Sequence, residues 1–209
     1  MGQRTVVHLV RHGEVHNPGG ILYGRMPGFG LSDDGVKMAH RVSDYFADRD
    51  VRYLVASPLQ RAQDTAAPLA EATDLAVAID ERLIEAANTF EGQRWGGKDG
   101  ILSRRSNWPH LRNPLTPSWG EPYVDIVVRM SMAVEAARAQ ALGHEAVCVS
   151  HQLPIWMMRC AVQSRRLWHD PRSRQCALAS VTSLHFDGEV VSHVEYVEPC
   201  GDGGSGVGA

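Results

Sequence analysis

The chain has 209 residues, 44% of them hydrophobic, and its 21 basic and 24 acidic side chains give a net charge of −3 with histidine neutral. A chain of that size is expected to form one ordinary globular domain, or at most two small ones, and to bury most of its apolar surface without disulfide or metal staples. The faint acidity excludes the strong basic excess of nucleic-acid and bilayer-surface proteins, and no run approaches the roughly 18–20 apolar residues that cross a bilayer.

The first predicted element is the β-branched run Val6 to Val10, a buried strand that stops at the polar, glycine-containing Arg11-His12-Gly13. From Ser32 onward Val36, Ala39, Val42 and Phe46 recur at helical spacing, and Asp33 and Asp34 suit the positive end of the helix dipole. Val51 to Ala56 reads as a second strand ending at Ser57-Pro58, Leu59 to Thr73 as a helix, and Leu75 to Ile79 as a third strand. Strand, helix, strand, helix, strand predicts an α/β fold, a three-layer α/β/α sandwich around a mostly parallel, doubly wound sheet.

Residues 86 to 118 break that rhythm with glycines and prolines, and carry five basic residues against two acidic ones. An irregular stretch of that length in a compact domain reads as a functional lid or insert. Regular pattern returns with a helix from Tyr123 to about Leu142, then a strand Ala146 to Val149 followed by Ser150-His151. Ser180 to Phe186 and Val190 to Tyr196 are expected to be strands of a hairpin turning at Asp187-Gly188, an edge unit that could serve a homodimer. Residues 1–198 are thus expected to form one domain, and 199–209 a disordered glycine-rich tail.

The four cysteines, Cys148, Cys160, Cys176 and Cys200, lie far apart with no C-x-x-C pair, which suits free thiols in a reducing compartment. The first residues are too short and too charged an apolar stretch for a secretion signal, so a soluble, cytoplasmic protein is expected. Two further patterns carry no chemistry. Cys160 and Arg166 have the five-residue separation of cysteine-dependent phosphatases, but no glycine lies between them and the stretch is helix-like. Gly201 to Gly206 satisfies G-x-G-x-x-G only in a tail with no helix after it.

Three expected strand ends carry similar groups: Arg11-His12 after the first, Arg61 just after the second, and Ser150-His151 after a later one. Ligands of open parallel sheets bind outside the strands' carboxyl ends, so these residues can converge. Two permanent guanidinium charges and two imidazoles make a site for a phosphate dianion, and a neutral imidazole is a nucleophile near pH 7. His8 and His16 flank His12 at four-residue spacing, but that spacing makes a metal face only on a helix, and residues 6 to 10 read as strand.

Leu9-Val10-Arg11-His12-Gly13-Glu14 resembles the signature of the histidine phosphatase superfamily, the phosphoglycerate mutase-like family. The resemblance continues in order at Ser57-Pro58-Leu59-Gln60-Arg61-Ala62, Leu83-Ile84-Glu85, Gly120-Glu121-Pro122 and Val149-Ser150-His151. It implies that His12 attacks phosphorus and is transiently phosphorylated, that Arg11, Arg61 and His151 bind the phosphoryl oxygens, and that Glu85 is the general acid and base. By sequence alone Glu81 and Glu91 are neighbours of equal standing. Asn17, followed here by Pro18, falls where many members place another phosphate contact. The usual glycine after the second histidine is Gln152 here. Because arginines supply the electrostatics, no metal or other cofactor is expected, and the resemblance implies a small phosphorylated substrate.

Residues 21 to 35 and the stretch after Glu85 resemble the phosphatase branch more than the mutases, so a phosphomonoesterase is expected. A phosphoglycerate mutase-type transfer, or a non-catalytic member that binds a phosphorylated ligand or a protein, is the alternative. Trp95, Trp108 and Trp119 in the insert would bury an organic substrate body, or simply anchor a glycine-rich loop.

Overall fold

The structure is a computed structural model that describes residues 3–94 and 120–201. Its elements run β1 (Arg4–Arg11), α1 (Asp33–Phe46), β2 (Val51–Ala56), α2 (Gln60–Thr73), β3 (Val77–Ile79), α3 (Tyr123–Gln140), β4 (Glu145–Ser150), α4 (Gln152–Val162), β5 (Val181–Asp187) and β6 (Val190–Val197). The six strands form one sheet in the order β3-β2-β4-β1-β5-β6. The first four are mutually parallel, while β5 and β6 add an antiparallel hairpin beside β1.

Strand alternation divides the core into two layers. Val7 and Leu9 of β1 and Ala146 and Cys148 of β4 pack against Ile126 and Met130 of α3 and Ile155 and Met157 of α4. Val10, Val147 and Val149 point the other way, onto Val42 and Phe46 of α1 and Ala62, Ala66 and Leu69 of α2. Helices therefore cover both faces, as parallel strands require. The α1 start is fixed locally: the Ser32 hydroxyl accepts the Gly35 N–H at 3.0 Å and donates to Glu14 at 2.7 Å.

Element boundaries differ from the sequence reading where caps intervene. The strand expected from Leu75 starts at Val77, because Asp74 ends α2 in the left-handed conformation and the Leu75 N–H still bonds back to Ala70. The helix expected to reach Leu142 stops at Gln140, ahead of Gly143 at φ 86°. The hairpin turns at Gly188-Glu189, since β5 includes Asp187. Most of the 86–118 insert, with Trp95, Trp108 and Trp119, and all but the first residues of the 199–209 tail lie outside the described residues. The four cysteines are free. No helix among the described residues is long and apolar enough to cross a membrane.

Candidate active site

β1, β4 and β2 are neighbours and parallel, so their carboxyl ends open side by side into one crevice. Arg11 ends β1, His12 follows it, Ser57 follows β2, Arg61 lies in the first turn of α2, and His151 stands between β4 and α4. All five are buried. The His12 N–H donates to the Ser150 carbonyl at 3.1 Å and the Ser57 N–H to the Val149 carbonyl at 2.9 Å, which extends the sheet pairing by one residue and locks the loops together.

Gly13 is required by packing. A Cβ there would stand 2.7 Å from the Gly35 carbonyl oxygen at the start of α1, and only a bare backbone allows that approach. The Gly13 N–H donates to Thr65 Oγ1 at 3.0 Å, and the Thr65 hydroxyl donates to the Arg61 carbonyl at 2.7 Å. Thr65 thereby joins the nucleophile loop to the helix turn that carries Arg61.

The His12 ring has a defined tautomer. Its Nδ1 lies 2.7 Å from the Gly13 carbonyl oxygen, which can only accept, so Nδ1 carries the hydrogen and Nε2 the lone pair. Nε2 is buried and has no hydrogen-bond partner among the described residues. Burial, with the charges of Arg61 and Arg11 beside it, holds the His12 pKa well below the ordinary imidazole value, so the ring is neutral at pH 7.

His151 lies with its ring centre 5.2 Å from that of His12, and burial, Arg61, His12 and Arg11 likewise keep it neutral. Its Nε2 is 2.7 Å from Ser57 Oγ. That oxygen also accepts the Leu59 N–H at 3.4 Å, and its one hydroxyl hydrogen can be donated to His151 Nε2. The hydrogen of the neutral ring then sits on Nδ1, which has no partner among the described residues. The crevice thus offers a lone pair from one histidine and a donor from the other.

Arg61 lies over the Tyr23 ring, 4.7 Å from its centre, and donates to the Gly24 carbonyl at 2.7 Å. Arg11 donates to the Cys176 carbonyl at 2.7 Å. Both are guanidinium cations with no acceptor atom. Two fixed charges with two neutral imidazoles sum to about +2, the complement of a phosphate dianion.

Glu85 is 5% exposed, whereas Glu81 is exposed and Glu91 is spent on the backbone N–H groups of Arg25 and Asn88. Burial raises the Glu85 pKa against the opposing Ala86 N–H and the charges of Arg61, Arg174 and Arg11. Its loop is held at several points. Ser150 donates to the Leu83 carbonyl at 2.7 Å, and Arg129 donates to the carbonyls of Arg82 and Ile84 at 2.6 and 2.7 Å. Arg25 donates to the Glu85 carbonyl itself at 2.7 Å, and Glu121 pairs with both Arg25 and Arg129.

The structure thus brings Arg11, His12, Arg61, Glu85 and His151 into one region. Asn17 is set differently: its amide donates to the Ile21 carbonyl and accepts the Ile21 N–H, closing the 17–21 loop. His8 lies inside β1, bonded to Ser183 and Glu145, and His16 is exposed. Cys160 is buried in α4. Arg174 went unrecognised in the sequence, as did the positioning roles of Ser57, Thr65 and Arg129. Ser57 and Thr65 carry a legible signal, hydroxyls next to Pro58 and one turn beyond Arg61, while Arg174 sits in an irregular loop with none.

The sequence matches the model of the histidine phosphatase superfamily (branch 1) over residues 7–198. The chain belongs to that superfamily. It is 60% identical over 199 residues to an uncharacterized protein of Mycobacterium tuberculosis, covering 95% of this chain and 98% of that one. It is 27% identical over 189 residues to phosphoserine phosphatase 1 of Hydrogenobacter thermophilus, covering 86% and 85% of the two chains. The mycobacterial glucosyl-3-phosphoglycerate phosphatase shares the fold with a TM-score of 0.72 at 24% identity, over 93% of this chain and 96% of that one.

Proposed function

We propose that this superfamily member is a phosphomonoesterase that works through a phosphohistidine on His12. The observation that carries the reading is His12 Nε2: a lone pair on a neutral, tautomer-fixed, fully buried imidazole, without a hydrogen-bond partner among the described residues and under the charges of Arg61 and Arg11. A structural histidine in that position would have both nitrogens satisfied.

In the first step His12 Nε2 donates its lone pair to phosphorus while the bond from phosphorus to the ester oxygen breaks. Protonated Glu85 gives that oxygen its proton, so an alcohol leaves rather than an alkoxide. Arg11, Arg61 and the His151 Nδ1–H hold the phosphoryl oxygens as charge spreads over them. In the second step Glu85, now a carboxylate, takes a proton from water, the water oxygen bonds to phosphorus, and the P–N bond returns its electrons to Nε2. Inorganic phosphate is released and Glu85 is again protonated. The lowered His12 pKa supports this division of labour because it leaves the ring neutral with its lone pair free, and the raised Glu85 pKa because it shifts that carboxyl toward the protonated form the first step uses.

Rapid mixing with a labelled phosphomonoester, followed by alkaline quench, tests the proposal. A burst of alkali-stable, acid-labile phosphoprotein is expected, and none in His12→Ala. Hydrolysis that survives in His12→Ala overturns the mechanism. Interconversion of phosphoglycerates without net phosphate release assigns the transferase alternative instead.

A further inference from the structure

The Glu85 carboxyl is aimed by the peptide unit that follows it. The Ala86 N–H donates to Glu85 Oε1 at 2.8 Å, and the carbonyl of the same peptide, that of Glu85, accepts Arg25 Nε at 2.7 Å. A peptide unit is planar, so a guanidinium that fixes its oxygen also fixes the direction of its N–H. The carboxyl is thereby fixed too. Oε1 is committed as an acceptor, and Oε2, without a hydrogen-bond partner among the described residues, is left to carry the proton of the acid form.

Arg25 and Arg129, which hold this loop by the carbonyls of Arg82, Ile84 and Glu85, come from distant parts of the chain, and one carboxylate joins them. Glu121 Oε1 accepts Arg129 Nε at 2.8 Å, while Oε2 accepts Arg129 Nη2 at 3.0 Å and Arg25 Nη2 at 2.9 Å. The pairing with Arg129 is the bidentate fork, which fixes the plane of the guanidinium as well as its place. Neither arginine has another carboxylate within ion-pair distance among the described residues.

Glu121 is itself brought up to the loop by backbone contacts. Its N–H donates to the Ala87 carbonyl at 3.1 Å, and a Cβ on Gly120 would stand 2.7 Å from that same oxygen, so only glycine permits the approach. The side chain is 16% exposed, and its hydrogen bonds all go to Arg25 and Arg129. It touches neither the Glu85 carboxyl nor the phosphate-binding groups, yet every step from it to Glu85 Oε1 is a hydrogen bond or a rigid plane.

We infer that Glu121 is a positioning residue for the general acid: through Arg25 and the peptide between residues 85 and 86 it fixes where Glu85 Oε2 points, and so governs how poor a leaving group the site can expel. Glu121 plays this part only if Glu85 is the acid, as read above. The test therefore includes Glu85 itself.

Hydrolysis of glycerol 2-phosphate, whose leaving oxygen must be protonated, is compared with that of p-nitrophenyl phosphate, whose phenolate leaves unaided, in wild type, Glu121→Gln, Glu85→Gln and the double variant. Glu121→Gln is expected to lower kcat/KM on glycerol 2-phosphate about tenfold or more, the size of one charge-assisted hydrogen bond, and to lower it much less on p-nitrophenyl phosphate. In the Glu85→Gln background the same substitution is expected to add no further selective loss, because its route runs through the acid. Arg129→Lys keeps the charge and loses the fork, so it is expected to show the same selectivity in smaller measure, and it carries the test where Glu121→Gln does not fold.

Equal losses on the two substrates would make Glu121 a residue of stability alone and overturn the inference. So would no loss on glycerol 2-phosphate, or a selective loss that persists in the absence of Glu85. If Glu85→Gln is selective and neither Glu121→Gln nor Arg129→Lys is, the acid reading stands and the positioning role falls. If Glu85→Gln is not selective, the acid reading fails and the positioning role fails with it.

Discussion

His8 and His12 lie four residues apart on one stretch of chain, each fully buried and each with a pKa held below the ordinary imidazole value chiefly by desolvation. Their surroundings differ in one respect. His8 has both nitrogens engaged, Nδ1 with Ser183 Oγ at 2.8 Å and Nε2 with Glu145 at 3.0 Å, and its ring packs edge-on against Phe46 at 5.0 Å. His12 has one nitrogen engaged and the other without a partner among the described residues, with the charges of Arg61 and Arg11 acting on it. Burial and a shifted pKa therefore do not distinguish the two. What distinguishes them is that His8 satisfies both ring nitrogens, whereas His12 leaves one without a partner among the described residues, so that its lone pair stays available.

Exchanging the two residues' fates is the most severe way to break this contrast. His12→Ala is expected to lower kcat by a factor of about 10⁴ or more, in line with removal of a catalytic nucleophile. Its urea midpoint should shift less than that of His8→Ala. A His12 variant that loses stability and keeps turnover would place both histidines in the structural class.

Glu85→Gln follows in size. A fall of about 10²–10⁴ in kcat is expected for alkyl phosphates, whose leaving oxygen must be protonated, and a much smaller fall for p-nitrophenyl phosphate, whose phenolate leaves unaided. The pH profile has a definite sign. Protonated Glu85 is lost as pH rises through its raised pKa, so activity toward alkyl phosphates should decline on the alkaline side, and this limb should vanish in Glu85→Gln. Equal losses on both substrate types would deny Glu85 the role of acid.

His8→Ala is the structural counterpart. Removing the ring leaves Ser183 and part of Glu145 unsatisfied and a cavity against Phe46, at an expected cost of about 2–4 kcal/mol in urea unfolding. Turnover per folded molecule should be unchanged. Both histidines, together with His151, share an acid sensitivity: the unfolded chain binds protons below about pH 6.5 where the folded rings do not, so stability falls as pH drops below that value. Each contributes a slope of up to about 1.4 kcal/mol per pH unit until its own lowered folded pKa is reached. Stability curves of the two alanine variants should each lack one share of that slope.

The sheet and most of the candidate site were legible because one signal carries both. Short β-branched runs ending in polar residues mark strand ends, and ligands of a parallel sheet bind outside those ends, which singled out Arg11, His12, Arg61 and His151 as candidates. Glu85 was legible only through resemblance, since Glu81 and Glu91 share its composition and only burial separates them. Arg174 was illegible for a physical reason. Its position is set by side chains, His169 and Gln152, that converge from a helix start and an irregular loop, and no periodicity records such a convergence. Helix and strand ends at Gln140 and Val77 were missed because capping at Gly143 and Asp74 overrode apolar residues that continued the pattern.

The smallest expected effects come from the hydroxyls behind two of these rings. Ser183→Ala removes one partner of His8 and should cost about 1 kcal/mol of stability with no change in turnover, since Glu145 still holds the ring. Ser57→Ala removes the partner of His151 Nε2, and the effect should appear in catalysis. Without the Ser57 hydroxyl the hydrogen is free to sit on either nitrogen of His151, so the donor aimed at the phosphoryl group is no longer assured. A fall of about tenfold in kcat/KM is expected, the worth of one hydrogen bond of about 1.4 kcal/mol. The paired measurement is sharp because the two serines are equally buried and each bonds one histidine nitrogen. If Ser57→Ala costs only stability, His151 belongs with His8 as a structural ring, and the donor at the phosphoryl oxygens must come from the arginines alone.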